Sequence, residues 1–165
     1  MAKNILNLDE LDFTLDFAHG DEFEAKMARV SPIIGGAKLA YNVTEVPPGK
    51  RAFPLHNHHA IEEVFFILEG DGTLRFGEEE QPVRSGDFIA CPTGGPEVAH
   101  QLVNTGAVEL RYLAISTTPD TDVVQYPDSG KFGVVAGLAP GMRPDQARFA
   151  GWYDEHKKLG YWDGE

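Results

Sequence analysis

Six histidines occur in the chain, and three of them, His56, His58 and His59, fall within four consecutive positions. On an extended strand, residues two apart project from the same face, so His56 and His58 converge while His59 turns away. Imidazole suits zinc, copper, iron and nickel, and an added carboxylate moves a site toward manganese or iron. Glu63 follows His58 after four residues, and a return of the chain would bring it beside the pair. By period two it shares a face with Phe65 and Ile67, and Glu62 faces the other way. On the inside of a barrel such a carboxylate needs a partner, and a metal ion is the natural one. His100, ahead of Gln101-Leu102-Val103, can complete the set from across the barrel. Three histidines and one glutamate leave two positions of an octahedron open, as a catalytic metal requires.

The elements that must carry these residues are short strands. Apolar residues alternate from Lys38 to Val46, and Pro47-Pro48-Gly49 ends that segment, because consecutive prolines cannot continue a ladder. Further strands are expected over Arg51–His58, Glu62–Leu68, Thr73–Phe76, Gln81–Arg84, Phe88–Cys91, Val98–Val103 and Val108–Ser116. Glu69-Gly70-Asp71-Gly72 reads as a hairpin turn, and Gly77–Glu80 and Ser85–Asp87 as further turns. Eight short strands with a turn every 6 to 12 residues argue for an all-β, antiparallel sandwich or jelly-roll barrel. The flanks read differently. The segment from Ile5 to Phe17 alternates imperfectly, as a strand or an irregular arm. Glu22–Val30 and Arg143–Leu159 are read as short helices. Asp120–Gly141 is read as loop with one strand, Phe132–Val135, and the aromatic tail Trp152, Tyr153, Tyr161, Trp162 as packing on the barrel or on a partner subunit.

The same residues carry a family resemblance. His-x-His-x4-Glu-x6-Gly is intact in His56, His58, Glu63 and Gly70, preceded by Gly49, and Gly86, Pro92, Gly94, His100 and Asn104 follow as a second motif. Together they resemble the two cupin motifs over roughly residues 37–116. The resemblance implies a jelly-roll barrel and the metal ligands His56, His58, Glu63 and His100. Two spacings depart from the pattern. Six residues rather than five separate Gly49 from His56, and five rather than two separate Gly94 from His100. The longer Gly-Gly-Pro loop, Tyr126–Lys131 and the aromatic tail are similar to small bacterial single-domain cupins of the sugar-phosphate (mannose-6-phosphate) isomerase-like group. That implies one divalent transition metal (zinc, manganese, iron or nickel), a small-molecule substrate and a homodimer. An iron-dependent dioxygenase and a non-catalytic small-ligand binder use the same ligands, so fold does not choose among them.

Composition narrows the setting. At 165 residues with a net charge of −12, the chain fits one domain, residues 1–165, and has no basic footprint for nucleic acid or anionic lipid. The longest central apolar run, Val64–Leu68, is too short to span a bilayer, and no leader is legible after Met1, so a cytoplasmic setting is expected. Cys91, the one cysteine, lies in an apolar run and reads as a buried structural thiol. Two further side chains are candidates for catalysis: Glu97 in the longer loop as a general base, and His59 as a proton shuttle at the site entrance. Arg51, Arg75 and Arg111 are the cations considered for holding an anionic group, with Arg75 expected outside the barrel by alternation.

Overall fold

Period-two alternation places one set of side chains in a common interior, and the strands close around it. The computed structural model describes residues 4–138 and 146–165. Its strands are β1 (Leu15–His19), β2 (Phe23–Arg29), β3 (Leu39–Val46), β4 (Asn57–His58), β5 (Glu63–Glu69), β6 (Asp71–Phe76) and β7 (Glu79–Arg84). They continue with β8 (Phe88–Cys91), β9 (His100–Val103), β10 (Leu110–Thr117), β11 (Thr121–Tyr126), β12 (Lys131–Ala136) and β13 (Phe149–Asp154). One helical turn, α1 (Ser31–Ile34), follows β2. No helix among the described residues is long and apolar enough to cross a membrane.

The strands form a six-stranded sheet in the order β1-β2-β3-β10-β5-β8, a three-stranded sheet β7-β6-β9 and a four-stranded sheet β13-β12-β11-β4. Every pairing between named strands is antiparallel. Inward residues of the six-stranded and three-stranded sheets meet in one core: Ala25, Val46, Phe65, Ile67, Leu74, Val83, Ile89, Leu102, Leu110 and Tyr112. This is the expected all-β jelly-roll barrel. Asn104 pins its closure: the buried amide donates to the carbonyls of Val46 at 2.7 Å and Val108 at 2.8 Å, and accepts the Gly106 N–H at 3.0 Å.

Several local expectations are corrected. Glu22–Val30 is not helical: β2 pairs with β1 and β3, and Ala25 and Ala28 are buried on its two faces. Cross-strand pairing there overrides the local helical reading. The expected Arg51–His58 strand shrinks to Asn57–His58, with isolated bridges at Arg51 and His56, because Pro54 interrupts the ladder. Glu69–Gly72 is not a hairpin. β5 pairs with β10 and β8, whereas β6 pairs with β7 and β9, so the chain changes sheets at Gly70, whose φ is +83°. The true two-residue hairpin turn is Gly77-Glu78, and β7 starts earlier than expected, at Glu79.

Beyond residue 117 the expected strand Phe132–Val135 is present as β12, the expected loop ahead of it carries β11 in a hairpin with β12, and the expected helix over Arg143–Leu159 contains strand β13 instead. Residues 143–145 of that segment lie outside the described residues. Each of these strands completes its hydrogen bonds on a distant or weakly patterned neighbour, which local periodicity does not reveal.

Candidate metal centre

The site is assembled from three places in the sequence. His56 and His100 face each other across a bridge in which His100 N donates to His56 O at 2.8 Å and His56 N to His100 O at 3.3 Å. Their rings lie 4.7 Å apart, and the His58 ring lies 5.0 Å from that of His56. Asn57, between the two ligand candidates, points away from them and is fully buried. Its Nδ2 donates to the Gly94 carbonyl at 2.8 Å and to Gln125 Oε1 at 3.1 Å. That ties the first motif to the loop of the second. Glu63 starts β5 opposite Cys91 of β8 and Ser116 of β10.

Glu63 Oε2 is the point of convergence. It lies 3.1 Å from His100 Nε2, 3.6 Å from His58 Nε2 and 4.0 Å from His56 Nε2. The ligand atoms of His56, His58 and Glu63 all lie within 4.8 Å of one another. His100 adjoins this trio through Glu63, with its ring 6.3 Å from that of His58. The structure therefore brings together the four residues picked out in the sequence.

The far side of each imidazole is already occupied. His56 Nδ1 meets the Pro54 carbonyl at 2.8 Å, His58 Nδ1 meets Asp122 Oδ2 at 2.6 Å, and His100 Nδ1 meets the Val98 carbonyl at 3.2 Å. Carbonyl and carboxylate oxygens only accept, so each Nδ1 carries the proton. In its neutral form each ring presents an Nε2 lone pair toward the same carboxylate oxygen. Four lone-pair donors aimed at one another are reconciled by a cation. Two donors each about 2.1 Å from a shared ion stand roughly 3.0 to 4.2 Å apart, which brackets the three Glu63 distances. The residues fit a divalent transition metal, with the outer hydrogen bonds holding the ring orientation.

The local electrostatics follow from burial and crowding. His56 is pushed down to about 4 by desolvation and by the neighbouring His100, so it is neutral at ordinary pH. Burial also works against charge on His58, but the Asp122 hydrogen bond and the Glu63 carboxylate outweigh it and raise that group above its ordinary value. Burial disfavours the Glu63 carboxylate; the close approach of His100 and the electrostatic influence of the three imidazoles more than offset this and hold it below the usual range. Cys91 is buried, and desolvation plus the Glu63 charge push its thiol up, in keeping with a structural thiol.

Asp122 is the residue that sequence reasoning missed. It lies in a segment read as loop, but in β11 it is 6% exposed and carries three contacts: Oδ2 to His58, and Oδ1 accepting from the backbone N–H groups of Ala60 at 2.8 Å and Ile61 at 3.3 Å. It thereby fixes the connection between His58 and Glu63. The only sequence signal available was a lone acid among β-branched residues, Thr121-Asp122-Val123-Val124.

The two catalytic candidates are not brought into the cluster. His59 is exposed and its Nε2 pairs with Gln125 Oε1 at 2.8 Å. Glu97 is exposed, and Oε1 accepts its neighbour's Gly95 N–H at 2.9 Å. Contacts to its own backbone and to Gly95 hold its carboxyl below the usual range. The arginines considered as anion holders pair elsewhere: Arg51 with Glu22, Arg75 with Asp128 and Gln101, and Arg111 with Glu45. Beside the cluster, between β2, β3, β10, β11 and β12, lies a cavity of about 230 Å³ whose lining includes Arg29, Asn42, Ser116 and Asp122.

The comparisons agree with the fold. The cupin domain family model matches residues 42–116. The chain is 34% identical over 97 residues to an uncharacterized protein of Methanocaldococcus jannaschii, covering 56% of this chain and 74% of that one. It is 34% identical over 71 residues to the oxalate-binding protein of Thermotoga maritima, covering 43% of this chain and 55% of that one. Among solved structures, a protein of Acidithiobacillus ferrooxidans provisionally named a sugar phosphate isomerase superposes with a TM-score of 0.67 at 26% identity, over 82% of this chain and 80% of that one. A Silicibacter pomeroyi cupin-superfamily sugar phosphate isomerase superposes with a TM-score of 0.76 at 20% identity, over 96% and 98%. With its motif residues gathered inside the barrel they predict, this chain belongs to the cupin family.

Proposed function

We propose that this protein is a metal-dependent cupin enzyme, isomerase-like, acting on a small polar carbonyl compound of the sugar-phosphate class. His56, His58, Glu63 and His100 would hold one divalent transition metal. The observation that carries the reading is the shared arrangement of the three imidazoles, each with Nδ1 tied to an acceptor and Nε2 turned toward Glu63. A bound ion there supplies a Lewis acid that polarises a carbonyl oxygen. The protein holds the imidazoles in one tautomer, and the cavity beside Asp122 and Ser116 gives a small substrate room next to the ligands. The likeness to the Acidithiobacillus protein supports the substrate class.

The test is elemental analysis of the purified protein beside Glu63→Ala, then a phosphosugar screen under nitrogen with the metal found. Uptake of about one metal per chain, lost in the variant, with turnover of a phosphosugar is the expected result. A protein that takes up no transition metal on reconstitution would end the metal reading; oxygen consumption dependent on ferrous iron would move it to a dioxygenase. A second reading, a non-catalytic binder of small ligands, is favoured by one observation: neither His59 nor Glu97 lines the cavity beside the metal ligands. Recovery of a bound ligand unchanged after long incubation with loaded protein would select it.

A further inference from the structure

One face of β11 touches the ligand cluster at both ends. Asp122 reaches His58 through its carboxylate. Tyr126, four residues on and so on the same face, lays its ring 6.2 Å from that of His56 at an interplanar angle of 31°. The register carries this face onto the neighbouring strands. Tyr126 pairs with Lys131 of β12, and Val124 pairs with both His58 and Gly133, the latter opposite Trp152 of β13. Directly paired residues project to one side of a sheet, so Tyr126, Lys131 and Trp152 extend the surface that holds His58. A Cβ on buried Gly133 would come 3.1 Å from the Trp152 indole nitrogen and 3.0 Å from Val124 Cγ1. The missing side chain therefore leaves the half-exposed indole room to lean across β12 toward Val124.

The cation on this surface is Lys131. Its Nζ stands 4.8 Å from the centroid of the Tyr126 ring, and among the described residues it makes no ion pair with a carboxylate. The register and the turn place two carboxylates near it, and both are matched elsewhere. Asp154, opposite Lys131, meets Lys157 at 3.4 Å and accepts the His156 backbone N–H at 2.9 Å. Asp128, in the β11–β12 turn, is held by Arg75 at 2.9 and 3.1 Å. A ring face engages one side of an ammonium and leaves donors on the other for an anion. The two ring distances bound the separation of Lys131 Nζ from the His56 ring at roughly 11 Å, within reach of an open-chain phosphosugar built on carbon–carbon bonds of about 1.5 Å. Tyr126 and Trp152 offer flat apolar surfaces to the carbon skeleton between the two ends.

We propose that Lys131 and Tyr126 are the specificity-determining residues of this site: the Lys131 ammonium and the Tyr126 hydroxyl hold the phosphate of a phosphosugar whose carbonyl end reaches the ion at His56 and His58. The assignment deepens the proposed function and rests on it for the metal-bound end. The phosphate contact itself needs no metal.

The experiment is calorimetric titration of the full chain, with and without zinc, using glucitol 6-phosphate and glucitol, a pair that differs in charge and offers no carbonyl to turn over. The wild-type protein is expected to bind the phosphate ester about tenfold or more tightly than glucitol. Lys131→Gln should remove most of that preference and Lys131→Arg should retain it in part, with zinc affinity unchanged in both. Tyr126→Phe, which keeps the ring and drops the hydroxyl, should weaken glucitol 6-phosphate about three- to tenfold, so the test survives if Lys131→Gln fails to fold. Three outcomes overturn the proposal: equal binding of the two probes, no binding of glucitol 6-phosphate, or affinity for it within twofold of wild type in both Lys131→Gln and Tyr126→Phe. Lys131-dependent binding of glucitol 6-phosphate by a protein that takes up no zinc would sink the metal reading and leave the phosphate contact standing.

Discussion

Asp122 Oδ2 sits 2.6 Å from His58 Nδ1 across 64 positions of sequence. The contact joins β11, outside the two motifs, to the strand that carries the ligands. It also explains why His58 differs electrostatically from His56, whose Nδ1 meets only a backbone carbonyl. Asp122→Ala should lower metal affinity roughly 10- to 100-fold, the usual cost of losing a partner that orients a ligand imidazole. Asp122→Asn, which can still accept one hydrogen bond, should fall between. Competition against a chelator reads the effect, and affinity of Asp122→Ala within twofold of wild type would refute this role.

Gly70 and Gly49 both have positive φ, +83° and +77°, yet differ in surroundings. A Cβ at Gly70 would lie 2.5 Å from the Glu109 carbonyl oxygen, whereas one at Gly49 meets nothing within 4 Å. Gly49→Ala should cost only the backbone conformation, about 1–2 kcal/mol. Gly70→Ala adds a clash with backbone that cannot swing aside, for a total of about 2–4 kcal/mol. Urea denaturation of both variants checks the order; equal losses would show that the sheet-changing corner is not tightly packed.

Cys91 is 1% exposed and its thiol is pushed up by burial and by Glu63. The thiolate is the reactive form, so a soluble thiol reagent should leave the native protein unlabelled and modify one site per chain in denaturant. Labelling of native protein within minutes would mean that β8 opens readily at the edge of its sheet.

Arg75 clamps the β11–β12 turn onto β6, meeting both carboxylate oxygens of Asp128 at 2.9 and 3.1 Å. The Arg75 hydrogen bond holds the Asp128 carboxyl below its ordinary 3.8. A depressed carboxyl stabilises the fold above its unfolded value and loses that contribution as pH falls through the lower folded value. Asp128→Asn should therefore melt slightly below wild type at pH 7, a small effect because the pair is half exposed. The two melting temperatures should converge below pH 3.8. A difference that persists in strong acid would trace to packing rather than charge.

The ligand set was legible because it obeys local rules. His56 and His58 share a face by strand parity, Glu63 shares one with Phe65 and Ile67, and the spacing to Gly70 matches a known motif. Most strands from Leu39 to Thr117 were legible for the same reason, since period two marks any strand with one face in a core; the exception is Arg51–His58, where only Asn57–His58 is paired as a strand.

In the flanks little beyond the Phe132–Val135 strand was legible. β2, β11 and β13 owe their extended form to neighbours that complete their ladders, and a short amphipathic segment has no local feature that selects strand over helix. Gly70 looked like a hairpin because its φ requirement is local, while the choice of partner strand is not. By itself, the sequence determined the barrel class and brought His56, His58 and Glu63 together, because side-chain parity and ligand chemistry act between near neighbours, while His100 entered through the resemblance of its motif. Tertiary structure alone decided that Asp122 orients His58, that His59 and Glu97 stand outside the cluster, and that Arg29 shares a cavity with Asn42 and Ser116. Those relationships depend on which distant strands pair and in what register, and registry is fixed only when the whole interior packs.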